Sequence, residues 1–447
     1  MAGLDRATLI AELLREYAQE LEIRVPDGPL TLEQIETLVE ELGREQDTRL
    51  EEALIRRQLP PGENQTACPQ CDGMVRFKRV APLEVGTIHG TRRLLRRYYR
   101  CTDCEYGLAP LDLHLQLEGL TQTRQLRAWQ AKYGSLAAFD SVPELLRDLR
   151  GMEVSASTVE RTTLEVGAAL AEAERLARAA ERAAPGARPE APSAPPAGER
   201  LYLGMDGVFC PLRDAWRKDG SLGKLACRYG ECKVGVVYRT QQQDGVDTGV
   251  RWRAYTATLE KIAGFTPRMV DLARSHGSEQ AGELVVLGDG ADWIWNLCAQ
   301  HFPQALQIVD YWHMTQHLYT VAHARFGKGT PAADEWVKHG QWFLDRDLPE
   351  SALAQIAEWQ PQSAEEQKLR ATEIGYFTEN QERMRYGTFL KRGYHIGSGV
   401  VEATCRQLVT QRLKQVGMHW REKSAEAVVT LRARLKSSDS TDLRMYC

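Results

Sequence analysis

Apolar residues recur every three to four positions through "LIAELLREYAQELEI" and again through "TLEQIETLVEELGREQDTRLEEALIRRQL", which predicts a helical region over residues 1–60. "PPGENQ" ends it. Between 66 and 112 the pattern shortens to strand-like runs, "MVRFKRV" and "RRLLRRYYR". Helical spacing returns over 120–182, in "SLAAF", "VPELLRDLRG" and a long segment opening at "SASTVERTTLEVG", where Ser157 and Glu160 have the spacing of a capping box. The run "AAPGARPEAPSAPPAG", residues 183–198, is too rich in Pro, Gly and Ala to pack a core, and it predicts a linker.

Beyond the linker the periodicity changes to strands interleaved with helices. "LYLGM", "ECKVGVVYR" and "RWRAYTATL" follow one another closely enough for hairpins, then a helix at "PRMVDLARSHG", the strand "LVVLG", a helix at "ADWIWNLCAQHF" and the strand "LQIVDYW". This order predicts an α/β domain over 199–447 with a mixed sheet. Residues from about 314 to 395 are mostly helical in pattern, as is a last block from Ser398 to Lys436.

Composition changes this picture little. Of the 447 residues 43% are hydrophobic and 26% charged, and no apolar run approaches the roughly 18 residues needed to span a bilayer. The opening "MAGLDRATLIAELLREYAQELE" lacks the basic-then-apolar order of a secretory signal, so the expected location is the cytoplasm. A net charge of -4 rules out a polycation, and any nucleic-acid contact must rest on local charge. Such an excess lies between Arg76 and Arg100, where Arg76, Lys78, Arg79, Arg92, Arg93, Arg96, Arg97 and Arg100 face the single acid Glu84, with Tyr98 and Tyr99 among them. That mixture attracts a phosphate backbone, although a solvated basic face is the plainer alternative.

The chain's ten cysteines do not suggest a disulfide framework in a cytoplasmic protein. Four of them form two C-x2-C units, "CPQC" at Cys68 and Cys71 and "CTDC" at Cys101 and Cys104, a spacing suited to a tetrahedral structural zinc. The alternative is four buried thiols without metal. Downstream, "VSASTVERTTLEVG" has the form of the turn and second helix of a helix-turn-helix, with Thr158, Arg161 and Thr162 on the face that would enter a major groove.

Three carboxylates stand in positions suited to chemistry. Asp206 in "LYLGMDGVF" and Asp289 in "LVVLGDGADW" each follow an apolar strand and precede a glycine, so parallel neighbouring strands would bring both to one rim. A turn aspartate is the simpler reading of either alone. Glu402 lies in the first turns of a helix opened by "GSG" at Gly397 to Gly399. Converging on one rim, the three would hold two hard cations, Mg2+ or Mn2+, of the kind used in phosphoryl transfer.

The ribbon "CPQC … CTDC", "MDG", "LGDGADWIWN", "IVDYWH" and "GSGVVEATCRQLVTQRLKQVGMHW", in that order, resemble the DDE transposases of bacterial insertion sequences, in particular the IS-Kra type. The resemblance covers most of the chain. It implies a ribonuclease-H-like catalytic core over 199–447, with Asp206, Asp289 and Glu402 as the metal-binding triad and the helical stretch at about 314–395 as an insertion. Asp310 and His313 in "DYWH" match a D-x2-H signature of related transposases and are expected to support the site. His317 and His323 are expected to face a neighbouring helix.

The implied partner is DNA, both the element's ends and the target. Arg161, Arg406, Arg412 and Lys414 join Arg92, Arg93, Arg96 and Arg97 as expected phosphate contacts, and the implied assembly is a homo-oligomer on paired ends in the bacterial nucleoid. Two alternatives stay open from the residues alone. One is a metal-dependent nuclease of the same fold, the other a DNA-binding regulator derived from a transposase and no longer catalytic.

Overall fold

The long apolar repeats at the start of the chain form two helices, α1 (Arg6–Arg24) and α2 (Leu32–Arg57). Thr31 starts α2 with a reciprocal cap: its hydroxyl accepts from the Gln34 N–H, and the Gln34 side chain accepts from the Thr31 N–H. The structure is a computed structural model and describes residues 6–58, 67–117, 119–183, 199–213, 227–439 and 441–447. The linker expected at 183–198 lies outside these residues except for Ala183, the last residue of a helix. Two compact units are present, Met1–Val166 with Leu443–Cys447, and Gly167–Asp442. Among the described residues no helix is long and apolar enough to cross a membrane.

In the first unit β1 (Val75–Thr87) and β2 (Gly90–Cys101) form a long antiparallel hairpin, and β3 (Gly107–Leu108) adds to the far side of β2. Alternate residues of β2 point inward, so Arg92 and Leu94 are buried while Arg93 and Leu95 are exposed. A short helix α3 (Pro110–His114) follows, then α4 (Arg124–Leu136), α5 (Val142–Arg150) and α6 (Ala156–Ala183). Leu126, Val142, Leu146, Met152 and Val159 form the core that gathers α4, α5 and the start of α6.

Two expectations for α6 are corrected. Its first turn is capped by Ser155, whose hydroxyl accepts from the Thr158 N–H, so the spacing of Ser157 and Glu160 does not make the cap. Thr162 is only 1% exposed and packs inward, while Arg161 is exposed and Thr158 half-buried. Any groove-facing surface of this helix therefore excludes Thr162.

The second unit is built on a mixed five-stranded sheet of β4 (Glu199–Arg213), β5 (Cys227–Gln243), β6 (Val246–Thr258), β7 (Leu284–Gly288) and β8 (Leu306–Val309), in the order β6-β5-β4-β7-β8. The pairs β4/β5 and β5/β6 are antiparallel, and β4/β7 and β7/β8 parallel. The central strand β4 and its neighbour β7 are apolar runs, Leu201–Met205 and Leu284–Gly288, buried throughout, as helices on both faces require. One face carries α7 (Ile262–Ser275), whose Phe265 and Met269 close on Gly235 of β5. α8 (Asp292–His301) follows β7.

After β8 come α9 (Tyr311–Phe326), α10 (Pro331–Leu344), α11 (Pro349–Ala357), α12 (Ala364–Asn380) and α13 (Tyr386–Lys391), which fill the region where the sequence pattern is helical. The chain then passes through α14 (Gly399–Cys405), a π-helical turn (Arg406–Thr410) and α15 (Gln411–Leu413) to α16 (Glu422–Lys436).

Candidate functional site

The parallel ladder between β4 and β7 pairs Leu201 with Leu284 and runs to Gly204 opposite Leu287. Carried on by two residues, that register sets Asp206 beside Asp289. The two aspartates are reached differently, however. β7 ends at Gly288, so Asp289 does sit at a strand end, but β4 continues through Asp206 to Arg213, paired with β5 all the way. The expectation that Asp206 follows its strand is therefore corrected: the parallel neighbour stops there while the antiparallel one goes on.

Gly204 explains how Glu402 approaches. A methyl group on Gly204 would lie 2.3 Å from a Val401 methyl, so α14 rests on β4 at a point that only glycine leaves open. Positions 204 and 206 point to one face of the strand, which puts the Asp206 side chain on the side covered by α14. Glu402, next to Val401, is exposed, and its carboxylate accepts from the Ser398 hydroxyl at 3.3 Å.

Hydrogen bonds orient both aspartates. Asp206 accepts from its neighbour Gly207 N–H at 2.6 Å and from the Cys405 thiol at 3.5 Å. Asp289 accepts from the Ala291 N–H at 2.9 Å, closing a tight turn. Burial pushes the Asp206 carboxyl above the ordinary carboxylate range; the Gly207 N–H opposes this and the charge of Asp289 adds to it. The Cys405 thiol is also pushed up, first by burial and then by Asp206, with Glu402 and Asp289 contributing. Asp206 thus feels Asp289 and the Cys405 thiol feels all three acids, although only the four cysteines, among the described residues, bring three or more ligand atoms within 4.8 Å of each other.

Asp310 is 1% exposed and acts as a staple. One carboxylate oxygen caps α9 by accepting from the His313 N–H at 2.5 Å, and the other accepts from the Ser398 N–H at the start of the Glu402 helix. It therefore fixes the "GSG" loop to the end of β8. His313 lies close enough to Asp206 to ease the upward push on its carboxyl. His317 does face a neighbouring helix, with Nδ1 at 2.7 Å from the Glu373 carboxylate on α12.

The basic residues divide by burial. Arg92, 7% exposed, bonds to Glu51 at 2.8 Å and to the His89 carbonyl, and Arg96 is paired with Asp112. Both point inward because they occupy the buried phase of β2, so their assignment to phosphate is corrected. Arg93 and Arg97 occupy the exposed phase, and Arg97 stacks on Phe77 at 5.0 Å; exposed Arg76 and Arg79 on β1 pair with Arg100 and Tyr98 and so lie on the other face of the hairpin. Arg412 is fully buried, against the Trp420 ring at 4.8 Å, and cannot meet DNA from there, whereas Arg406 and Lys414 are exposed.

Cys68, Cys71, Cys101 and Cys104 come together as a set able to hold a metal ion, with sulfur separations of 3.4, 3.5 and 3.6 Å. A tetrahedron of thiolates about zinc has edges of about 3.8 Å, so the donors fit that ion. The two C-x2-C turns repeat each other. Asp72 and Glu105, each just after the second cysteine, have φ of 56° and 61°, and the Cys68 and Cys101 N–H groups bond to the carbonyls of Gly73 and Tyr106. Non-glycine residues adopt such φ values at a cost, and here it recurs at matching positions. The Cys104 and Asp103 N–H groups bring the Cys101 thiol down to about 7. Cys71, against the Gly73 backbone, is instead pushed by the clustered thiols up to about 12, and Cys104 upward as well, so without a cation the four do not ionise together.

No protein-family model matches the chain, and no curated protein does. Sequence reading passed over Cys405, Tyr376 and Arg432. Arg432 on α16 is 2% exposed and donates to the Gln407 and Leu408 carbonyls of the π-helical turn, which follows directly on the Glu402 helix. A π-helical turn leaves no trace in a 3.6-residue pattern.

Proposed function

We propose that the chain is a DNA transposase of the DDE type, with a ribonuclease-H-like catalytic core over 199–447 and a zinc ribbon over 66–112. The observation that carries this reading is the parallel register of β4 and β7, which aligns Asp206 with Asp289, under a helix that presents Glu402. The mixed sheet supports the core assignment, and the four-cysteine cluster the ribbon. Asp206, Asp289 and Glu402 would hold two Mg2+ or Mn2+ ions, which lower the pKa of an attacking water and stabilise the leaving oxygen. Asp310 keeps the Glu402 helix in register with the aspartates.

In this reaction water attacks a phosphodiester at an element end, the P–O bond to the 3'-oxygen breaks, and a 3'-hydroxyl is released. That hydroxyl then attacks a target phosphodiester, forming a new P–O bond and freeing a target 3'-hydroxyl. The test is purified protein with DNA carrying the ends of its own element, in Mg2+ and in Mn2+. Joined products are expected. Cleavage without joining would favour a nuclease, and binding without cleavage a regulator.

DNA would lie along the exposed face of the hairpin. The double variant Arg93→Ala, Arg97→Ala, both on one exposed phase of β2, should lower the salt slope of DNA binding by about two, since each phosphate contact contributes roughly one. Arg92→Ala should leave the slope alone and cost roughly 1–3 kcal/mol of stability, because half-buried Glu51 loses its buried partner. Equal slopes in the parent and the double variant would move the DNA elsewhere.

A further inference from the structure

The helical block between β8 and α14 reaches back to the Asp289 turn through one side chain. Tyr376 on α12 donates its hydroxyl to the Asp289 carbonyl at 3.0 Å. Its ring also covers Gly290, where φ is +102° and a methyl group would lie 2.4 Å from the ring. Glycine is required at that position twice over, by the backbone conformation and by the ring above it.

The Tyr376 ring is itself held. His317 on α9 stacks on it with centroids 3.7 Å apart and planes 15° from parallel. Glu373, one turn before Tyr376 on α12 and 4% exposed, binds His317 Nδ1 at 2.7 Å. The Asn380 side chain bonds to the Tyr376 carbonyl at 2.9 Å, which fixes the helix one turn further on. A buried carboxylate, an imidazole and a phenol therefore form a row that ends on the backbone of one aspartate turn.

Resting on the catalytic reading given above, we propose that Tyr376 is a positioning residue for Asp289, held in place by the His317–Glu373 pair, and that the helical block thereby sets the geometry of one metal-holding carboxylate. The Asp289 side chain accepts from Ala291 two residues on, so its direction follows from the backbone of residues 289–291. Tyr376 grips that backbone at Asp289 and Gly290. Without the hydroxyl the turn keeps its internal hydrogen bond and loses its anchor to α12.

Tyr376→Phe keeps the ring and the stack and removes one hydroxyl. Hydrogen exchange of the peptide spanning Gly288–Asp292, measured without metal or DNA, should quicken by about fivefold, the loss expected for one ordinary hydrogen bond. The Mn2+ concentration for half-maximal cleavage should rise by a similar factor, with DNA affinity and Tm near those of the parent. Glu373→Gln should move both readouts in the same direction by less, because its amide can still accept from His317. A folded Tyr376→Phe with the parent's exchange and metal requirement overturns the proposal, as does a change confined to Tm. Asp289→Asn assayed alongside separates the two levels. If Asp289→Asn cuts DNA normally, the catalytic reading fails; if it is inactive while Tyr376→Phe matches the parent throughout, only the anchor fails.

Discussion

Purified protein should carry about one zinc per chain, and Cys101→Ser should lose it together with the fold of the surrounding hairpin. The buried cluster at that end of the hairpin is Cys68, Val75, Tyr99, Cys101 and Leu108, two of which are the sulfur donors themselves. So small a core does not hold the cysteine-bearing end of the ribbon without a metal or a covalent link, whereas the other end has a core of its own in Val85, Leu94, Leu111 and Leu117. The positive φ at Asp72 and Glu105 adds a cost that metal bonds offset in the folded state. Chelation or Cys101→Ser should therefore expose the cysteine-bearing end of the ribbon to protease and cut DNA affinity at least about tenfold, since the two strands would no longer hold their exposed arginines in place. Adding Zn2+ should restore the parent protein and leave Cys101→Ser unrepaired. Folded, metal-free protein with parent DNA affinity would show that the four thiols need no ion.

How much of this was open to sequence reading depends on whether a local pattern or a distant contact sets each feature. The C-x2-C pairs were legible because the chemistry needs its donors at a fixed short spacing. The strands carrying Asp206 and Asp289 were legible as apolar runs ending in Asp-Gly, but only pairing reveals that β4 runs on past Asp206. Arginine counts could not separate Arg92 from Arg93, because the difference is the phase of a strand against its partner. Arg412 looked like an exposed cation on a basic helix, and the ring that buries it, Trp420, lies beyond an intervening turn. Thr162 is buried while its neighbour Arg161 is exposed, a division that the pattern of a single helix does not show. Asp310 was legible as a residue of interest, though not its second bond, to Ser398 some 88 positions away.

Asp289→Asn should reduce DNA cleavage by at least about a hundredfold, the loss typical when one group that stabilises developing charge is removed. The substitution is conservative for the fold. Asparagine retains an oxygen for the Ala291 N–H, and the Tyr376 hydroxyl bonds to the backbone carbonyl, which does not change. What disappears is one negative charge beside Asp206. The Asp206 carboxyl lies above its ordinary range, through burial first and partly through Asp289. A carboxyl raised on folding weakens stability as pH climbs from the ordinary carboxylate range through its folded value. Removing Asp289's charge eases this effect, so the variant should be as stable as the parent or slightly more so, with a shallower loss of stability as pH rises above the ordinary carboxylate range. DNA affinity should hold, because the exposed arginines of the hairpin are untouched. A turn aspartate of purely local importance predicts the opposite in activity, since asparagine serves such turns equally well. Strand cleavage in Mg2+ and Mn2+, thermal unfolding across pH, and DNA binding, measured on one preparation, decide between them. A folded Asp289→Asn protein that cuts DNA near the parent rate leaves Asp206 and Glu402 without a third ligand, and the two-ion reading of this rim fails.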